Sequence, residues 1–297
     1  MTFIRQLCLV VLSAGLCSHL SSCSDIQFTS KGAPNDRSVA GDKKFEGDQS
    51  AQDGPKASEK PGEFDASEKF LPTGKSLDLY VVMDNSTSLF SIPTSGQAGT
   101  DPSCKRFDAL MDLIDEMRKK QTAGKAVRLS VVRFATQADD VYFDESVLEK
   151  TRDQLSEKLR GPLCFDGDRS PAPVTNYNRA ISLALQKKNS LVLSKKMDVE
   201  SVLFFSDGAA NYGEEGELRK LIDDLNKSFP RRVWGLILGN AKILDAQRQN
   251  ECILRRAGGS KLSAKECMEI LVGSDLGKLI QVDSASELSS KLTELLK

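Results

Sequence analysis

Three separated stretches of this sequence carry oxygen-bearing side chains of the kind that hold a hard cation. They are Asp84-Asn-Ser86-Thr-Ser88, Thr175 at the head of Thr-Asn-Tyr-Asn-Arg-Ala180, and Ser206-Asp207-Gly208. Asp84, Ser86, Ser88, Thr175 and Asp207 together offer two carboxylates and three hydroxyls. An all-oxygen set suits Mg2+, which keeps water in part of its octahedral shell, with Mn2+ or Ca2+ as alternatives. Each piece alone is a weak signal, because polar loops are common and Asp-Gly usually marks a turn. A shared site therefore requires that the surrounding elements bring the three pieces together.

The periodicity says that they do. Leu77 to Met83 and Val202 to Phe205 are short apolar runs suited to buried strands, and each is followed directly by one of the clusters. Val127 to Phe134, Val233 to Leu238 and Leu279 to Val282 read as further strands, and Asp139 to Phe143 as an edge strand. Phe107, Leu110, Met111, Ile114 and Met117 recur at helical spacing. Helices are also predicted over 146–159, 176–187, 214–228, 244–256 and 286–296. Strands alternating with helices imply parallel β-α-β units, hence an α/β fold: a three-layer α-β-α sandwich on a mostly parallel sheet with one antiparallel edge strand. Ligands of such sheets bind at the carboxyl ends of strands. No internal repeat is visible, so residues 73–297 are expected to form one domain.

In this order and on these elements, the clusters resemble the metal-ion-dependent adhesion site of von Willebrand factor A (VWA) domains. The family's Asp-x-Ser-x-Ser is matched by Asp84, Ser86 and Ser88, its distant threonine by Thr175, and its aspartate before glycine by Asp207. Arg106-Phe-Asp-Ala-Leu110 looks like the family's first helix, and Arg128 to Phe134 like its second strand. The resemblance spans about residues 76–297. It implies direct contacts to the ion from Ser86, Ser88 and Thr175. Asp84 and Asp207 would either ligate or accept hydrogen bonds from bound water. One coordination position is left for an Asp or Glu of a partner protein, toward which a cation with mainly neutral ligands stays electrophilic.

Composition narrows the chemistry further. The only histidine of the 297 residues is His19. It falls inside residues 1–22, which read as an export signal: Arg5, then an apolar run from Leu7 to Leu16, then small residues. That run is shorter than the roughly 20 residues of a membrane span. Leu20-Ser21-Ser22-Cys23 resembles a bacterial lipobox, which makes Cys23 the lipid-modified first residue of a mature lipoprotein. An ordinary cleaved signal is the alternative. Without His19 no imidazole remains, which excludes Ser-His-Asp and Cys-His catalysis and histidine-ligated zinc. Asp and Glu number 42 against 41 Lys and Arg, so no basic excess points to nucleic acid. Ser24, rather than Asp, follows Cys23, which favours the outer over the inner membrane. Periplasmic and surface orientations both stay open. Residues 23–72 are rich in Gly, Ser, Asp, Lys and Pro without apolar periodicity and read as a disordered tether. About 50 such residues span on the order of 40 Å.

The sequence departs from the family pattern in two loops beside the expected metal. Residues 89–104 and 160–174 are longer than the resemblance implies, and Val174 stands where the family commonly has glycine. Asp166 and Asp168 in the second loop suit a charged, solvent-facing surface better than a second cation. Cysteines left after Cys8, Cys17 and Cys23 are Cys104, Cys164, Cys252 and Cys267. In an exported chain an even number suggests disulfides. Of three pairings, Cys104–Cys164 with Cys252–Cys267 is expected, since the first two lie in the two rim loops and the others are near in sequence. Four free thiols are the alternative. Trp234 reads as core, and Tyr177 as either helix packing or a ligand contact.

These observations point to a metal-dependent protein-binding module for adhesion or envelope assembly. The alternatives are a scaffold that uses the fold without the ion and, further off, a metal-assisted hydrolase. The sequence shows no positioned general base and no Gly-rich phosphate loop for the latter.

Overall fold

The computed structural model describes residues 70–296, except 73, 93–96, 122–124, 165–173, 191–195, 240–250 and 274–277. The signal, Cys23, the bulk of the tether, Asp166 and Asp168 lie outside the described residues.

A six-stranded sheet forms the middle layer. Its strands are β1 (Leu77–Asp84), β4 (Val127–Phe134), β5 (Ala138–Asp144), β6 (Val199–Ser206), β7 (Val233–Leu238) and β10 (Leu279–Val282). The order across the sheet is β10-β7-β6-β1-β4-β5, parallel throughout except for the antiparallel β4–β5 edge. A two-stranded pair, β2 (Ser91–Ile92) and β3 (Gln97–Ala98), lies in the loop after β1. The fold is thus the three-layer α/β sandwich that the alternation of elements implies.

Strand β1 is central and buried at all eight positions, which is why it reads as a continuous apolar run. Its side chains divide by the two-residue period of a strand. Leu77, Leu79, Val81 and Met83 join one core with α2 (Lys105–Lys120), α3 (Arg152–Cys164) and the last helix, α7 (Leu288–Glu294). Tyr80 and Val82 join the other core with α4 (Tyr177–Ser190), α5 (Glu215–Ser228) and α6 (Ala264–Val272). A short helix, α1 (Thr87–Phe90), follows β1 directly.

The connections fix where a site can form. From β1 the chain passes through α2 on one face to β4; from β6 it passes through α5 on the opposite face to β7. Neighbouring strands β1 and β6 therefore send their chains apart. A crevice opens at their carboxyl ends, the topological switch point at which open α/β sheets bind ligands.

Several elements differ from the sequence-based expectation. Phe70 and Leu71, assigned to the tether, are buried, and Phe70 packs edge-on against Trp234 at 5.5 Å. Apolar residues this close to β1 belong to the core despite their polar flanks. The helix expected over 146–159 is a 3-10 turn at Val147–Glu149 followed by α3. Thr151 is the reason: its hydroxyl accepts from the Gln154 amide while Gln154 Oε1 accepts from the Thr151 amide, a reciprocal cap that starts the helix there. The helix then runs through Pro162 to Cys164.

Nor is 244–256 helical where it is described. Cys252–Arg255 is strand β8, paired antiparallel with β9 (Lys261–Leu262). Cys252 and Leu254 are buried while Arg255 is exposed, a two-residue alternation, and Gly258-Gly259 supplies the turn. Helix α6, not anticipated, opens on a capping box in which Ser263 and Glu266 satisfy each other's backbone amides. The final helix is preceded by a 3-10 turn at Ala285–Glu287.

Candidate metal centre

Asp84 is the last residue of β1 and is fully buried. Its Oδ1 accepts from the Ser86 amide at 2.8 Å, which folds the chain back over the strand end. Its Oδ2 accepts from the Ser206 hydroxyl at 2.5 Å, across from the end of β6. From Ser86 a chain of hydroxyls crosses the crevice. Ser86 Oγ lies 2.9 Å from Ser88 Oγ, and Ser88 Oγ donates to Asp207 Oδ1 at 2.9 Å. Four of the five expected metal residues are thus joined directly or through one neighbour. The fifth, Thr175, is tied instead to Asn211 in the loop after Asp207, outside that network: its amide donates to Asn211 Oδ1 at 2.8 Å, and the Asn211 amide donates to the Thr175 carbonyl at 3.2 Å.

The second oxygen of Asp207 is held by a residue the sequence did not single out. Thr100 Oγ1 donates to Asp207 Oδ2 at 2.5 Å. Thr100 lies in the long loop after α1, and that loop is fastened back onto α1. The amides of Gly99, Thr100 and Asp101 donate to the carbonyls of Phe90, Ser88 and Leu89 respectively. Gly99 is required for this contact, because a Cβ there would sit 2.3 Å from the Ser88 carbonyl oxygen. One threonine in a polar loop carries no sequence signal of such a role. Ser206 could have been found, since it immediately precedes Asp207.

Beneath these groups lies a buried ion pair. Asp101 caps α2, its Oδ1 accepting from the Lys105 amide at 2.6 Å and its Oδ2 from the Arg106 amide at 3.0 Å. The same Oδ2 pairs with Arg106 Nη1 at 2.9 Å, both side chains having no solvent exposure. Arg106 Nη2 donates to Asn85 Oδ1 at 2.8 Å and to the Leu163 carbonyl at 2.7 Å. It thereby ties the residue after Asp84 to the last turn of α3, whose carbonyls lack helical partners. Cys104, in the left-handed region at φ 56°, forms a disulfide with Cys164. The residue that leads into α2 is therefore joined covalently to the last turn of α3, beside the Arg106 link. Cys252 and Cys267 form the other disulfide, between β8 and α6.

Electrostatics sets this crevice apart. Burial pushes the Asp84 carboxyl above its ordinary range, against the pull of the Ser206 and Ser86 hydrogen bonds and of Arg106. Asp207 is pushed up to about 7, by burial first and by the charge of Asp84 second. Two carboxylates out of water and close enough to repel are poorly compensated by hydroxyls alone. A divalent cation among those same oxygens supplies the missing charge, so the donor set fits one. Among the described residues no three His, Cys, Asp or Glu side chains gather as a metal cluster. Any ion here would instead be held by two carboxylates and several hydroxyls. Tyr177 is fully buried and donates to the Gly208 carbonyl at 2.8 Å, so it braces the loop after Asp207 rather than facing a ligand. Trp234 is a core residue at 8 % exposure.

No family model matches this sequence. No curated protein matches it either. Among solved structures, the chain is similar to proximal thread matrix protein 1 from the mussel byssus. Identity is 14 %, with 75 % of this chain and 47 % of that one covered, at a TM-score of 0.49. The chain thus spans about half the length of the mussel protein. It is also similar to manganese-loaded Plasmodium vivax TRAP protein, at 12 % identity, 75 % and 74 % coverage and a TM-score of 0.46. A third is a von Willebrand factor type A structure from Catenulispora acidiphila, at 13 % identity, 75 % and 42 % coverage and a TM-score of 0.45.

Proposed function

We propose that this chain is a VWA-type binding module. In this reading a divalent cation, Mg2+ first, is held by Asp84, Ser86, Ser88, Thr175 and Asp207, and it captures an Asp or Glu side chain of a partner protein. The observation that carries the proposal is the bridge Ser86–Ser88–Asp207 across the crevice, closed on the other side by Ser206 and Asp84. It is a set of oxygens with two buried carboxylates at the switch point of the sheet. The bound cation would supply a Lewis-acidic position for the partner's carboxylate. The protein's own residues do the rest. Ser206 and the Ser86 amide fix Asp84, Thr100 and Ser88 fix Asp207, and Arg106 with the Cys104–Cys164 bridge holds the rim so that little ordering is needed on association.

The role is binding rather than catalysis. Both carboxylates are engaged by hydroxyls, and the mature chain lacks imidazole once His19 leaves with the signal. Attachment is through a lipid on Cys23 and the tether to about residue 69, at the outer membrane in preference to the inner. Among the described residues no helix is long and apolar enough to cross a membrane.

The test is capture from an envelope extract by the immobilised, non-reduced full chain in Mg2+ or EDTA, with Asp84→Ala alongside. A protein retained only by the wild type in Mg2+ supports the proposal. Retention that ignores both chelator and substitution would sink it and leave the metal-independent scaffold.

A further inference from the structure

Each parallel strand of the sheet is entered past a basic residue. Lys75 precedes β1, Lys125 precedes β4 and Lys196 precedes β6; Arg231 and Arg232 precede β7, and Lys278 precedes β10. The register of Leu77 with both Val127 and Val199 sets the first three at one end of the sheet, on neighbouring strands. Lys75, Lys125, Lys196 and Arg231 are exposed. The acid described among them is Asp198. Its Oδ2 accepts from the Ser76 amide at 2.8 Å and the Ser76 hydroxyl at 2.9 Å, and lies 3.7 Å from Lys125 Nζ. At the β5 edge, where the strand runs the other way, Asp144, Glu145 and Glu149 reach this end, so the basic face lies under the remaining strands.

The far end has the opposite sign. Residues 85–104, 135–137, 207–214 and 283–287 follow β1, β4, β6 and β10. They carry Asp101, Asp207, Glu214, Asp283 and Glu287 and, where described, no Lys or Arg. Helix dipoles do not account for the contrast. Lys75, Lys125, Lys196 and Arg231 lie outside the helices, and a sheet has little net dipole to neutralise.

A second observation says what this end faces. Phe70, where the described chain begins, is buried edge-on against Trp234 of β7, and Lys278 Nζ lies 5.6 Å from the same ring. The segment that runs back to Cys23 therefore leaves the domain from within the basic end. Asp84 and Asp207 open at the far end of the same sheet.

We propose that the basic end docks on the anionic, phosphate-bearing headgroups of the membrane that holds the Cys23 lipid, turning the metal crevice away from that membrane. The choice of membrane rests on the lipoprotein reading; the charge of the face does not.

The test is co-sedimentation of the mature chain, carrying Cys23→Ser so that no lipid contributes, with vesicles in EDTA. Vesicles of equal parts phosphatidylcholine and phosphatidylglycerol are compared with phosphatidylcholine alone. Binding to the anionic vesicles only is expected, and it should vanish at salt high enough to cut the screening length to about 3 Å. Lys75→Gln with Lys125→Gln and Lys196→Gln should weaken it on the order of a hundredfold, since each Lys near an anionic surface contributes about fivefold. Lys105→Gln with Lys220→Gln and Lys265→Gln removes the same charge from exposed helical positions, and should leave binding within about twofold. Equal loss in both triple variants would make net charge, not this face, the cause, and would overturn the proposal. So would equal binding to neutral vesicles, or no binding to anionic ones at low salt. Whether Cys23 carries lipid is judged apart, by the mass of the wild-type chain extracted from membranes, and neither result decides the other.

Discussion

Strand β1 carries a fully buried aspartate near each end, Asp78 and Asp84, and the two are compensated differently. Asp78 lies directly across from Arg128 in the β1–β4 register, and Arg128 Nη2 donates to its Oδ2 at 2.8 Å. Tyr80 adds a second donor at 3.2 Å. Burial raises the Asp78 carboxyl, and the facing guanidinium pulls it back. Asp84 lies across from Phe134 in the same register, and its direct donors are the hydroxyls of Ser206 and Ser86 and the Ser86 amide, all uncharged. Its nearest fixed cation, Arg106, is committed to Asp101, Asn85 and the Leu163 carbonyl. One strand thus shows a buried carboxylate that carries its own counter-charge, which is architecture. It also shows one that requires a counter-charge from outside, which is a site.

The largest effect is expected where the built-in partner is removed. Arg128→Leu leaves Asp78 buried and unpaired, and should cost about 3–5 kcal/mol in urea unfolding. Adding Asp78→Leu to the same chain should recover most of that loss. A double variant no more stable than Arg128→Leu would mean that packing, not charge, holds the amino-terminal end of β1.

At the other end, the missing charge should be measurable as cation-linked stability. Mg2+ at about a hundredfold its dissociation constant should stabilise the full chain by about 2.7 kcal/mol. Asp84→Ala should remove that gain while leaving the fold in place. An equal Mg2+ gain in the variant would place the cation elsewhere.

The same contrast has a smaller, pH-dependent form in EDTA. Asp207 is raised from its ordinary 3.8 to about 7 in the folded chain. A carboxyl raised on folding holds its proton in the native state over a range where the unfolded chain has released it. Its contribution is full below about 3.8 and is lost as pH rises through about 7. Stability in EDTA should therefore fall between these pH values, and Mg2+ should flatten the fall. Asp207→Asn should reduce the slope, with the raised Asp84 and Asp78 carboxyls supplying the remainder; a slope unchanged by that substitution would assign it to other groups.

How far the sequence could be read follows from the same distinction. Strands were legible where burial on both faces forces an unbroken apolar run, as in Leu77–Met83 and Val233–Leu238, and the alternation of elements then placed Asp84 and Asp207 at one sheet edge. Helix limits were less so, because Thr151 and Ser263 act through reciprocal caps that a hydrophobic period does not register. The strand at Cys252–Arg255 was missed because four residues of alternation, followed by Gly258-Gly259, are outweighed in a long window by apolar residues at helical spacing. Within the site, residues bonding locally along β1 and β6 were legible. Thr100 and the Asp101–Arg106 pair were not, because their partners are set by how an irregular loop folds back onto Ser88 and Leu89.

That loop provides the smallest and most discriminating effect. Thr100→Val preserves shape and removes the one hydroxyl that the long loop gives to Asp207 Oδ2. Losing a single partly exposed hydrogen bond should cost about 1 kcal/mol of stability in EDTA. If the loop positions Asp207 for the cation, Mg2+ affinity measured calorimetrically should also change, whereas Thr100→Ser, which keeps the donor, should restore it. If Thr100→Val lowers stability but leaves Mg2+ affinity as in the wild type, the loop merely packs against the crevice, and the two ends of β1 differ only in the charge beside them.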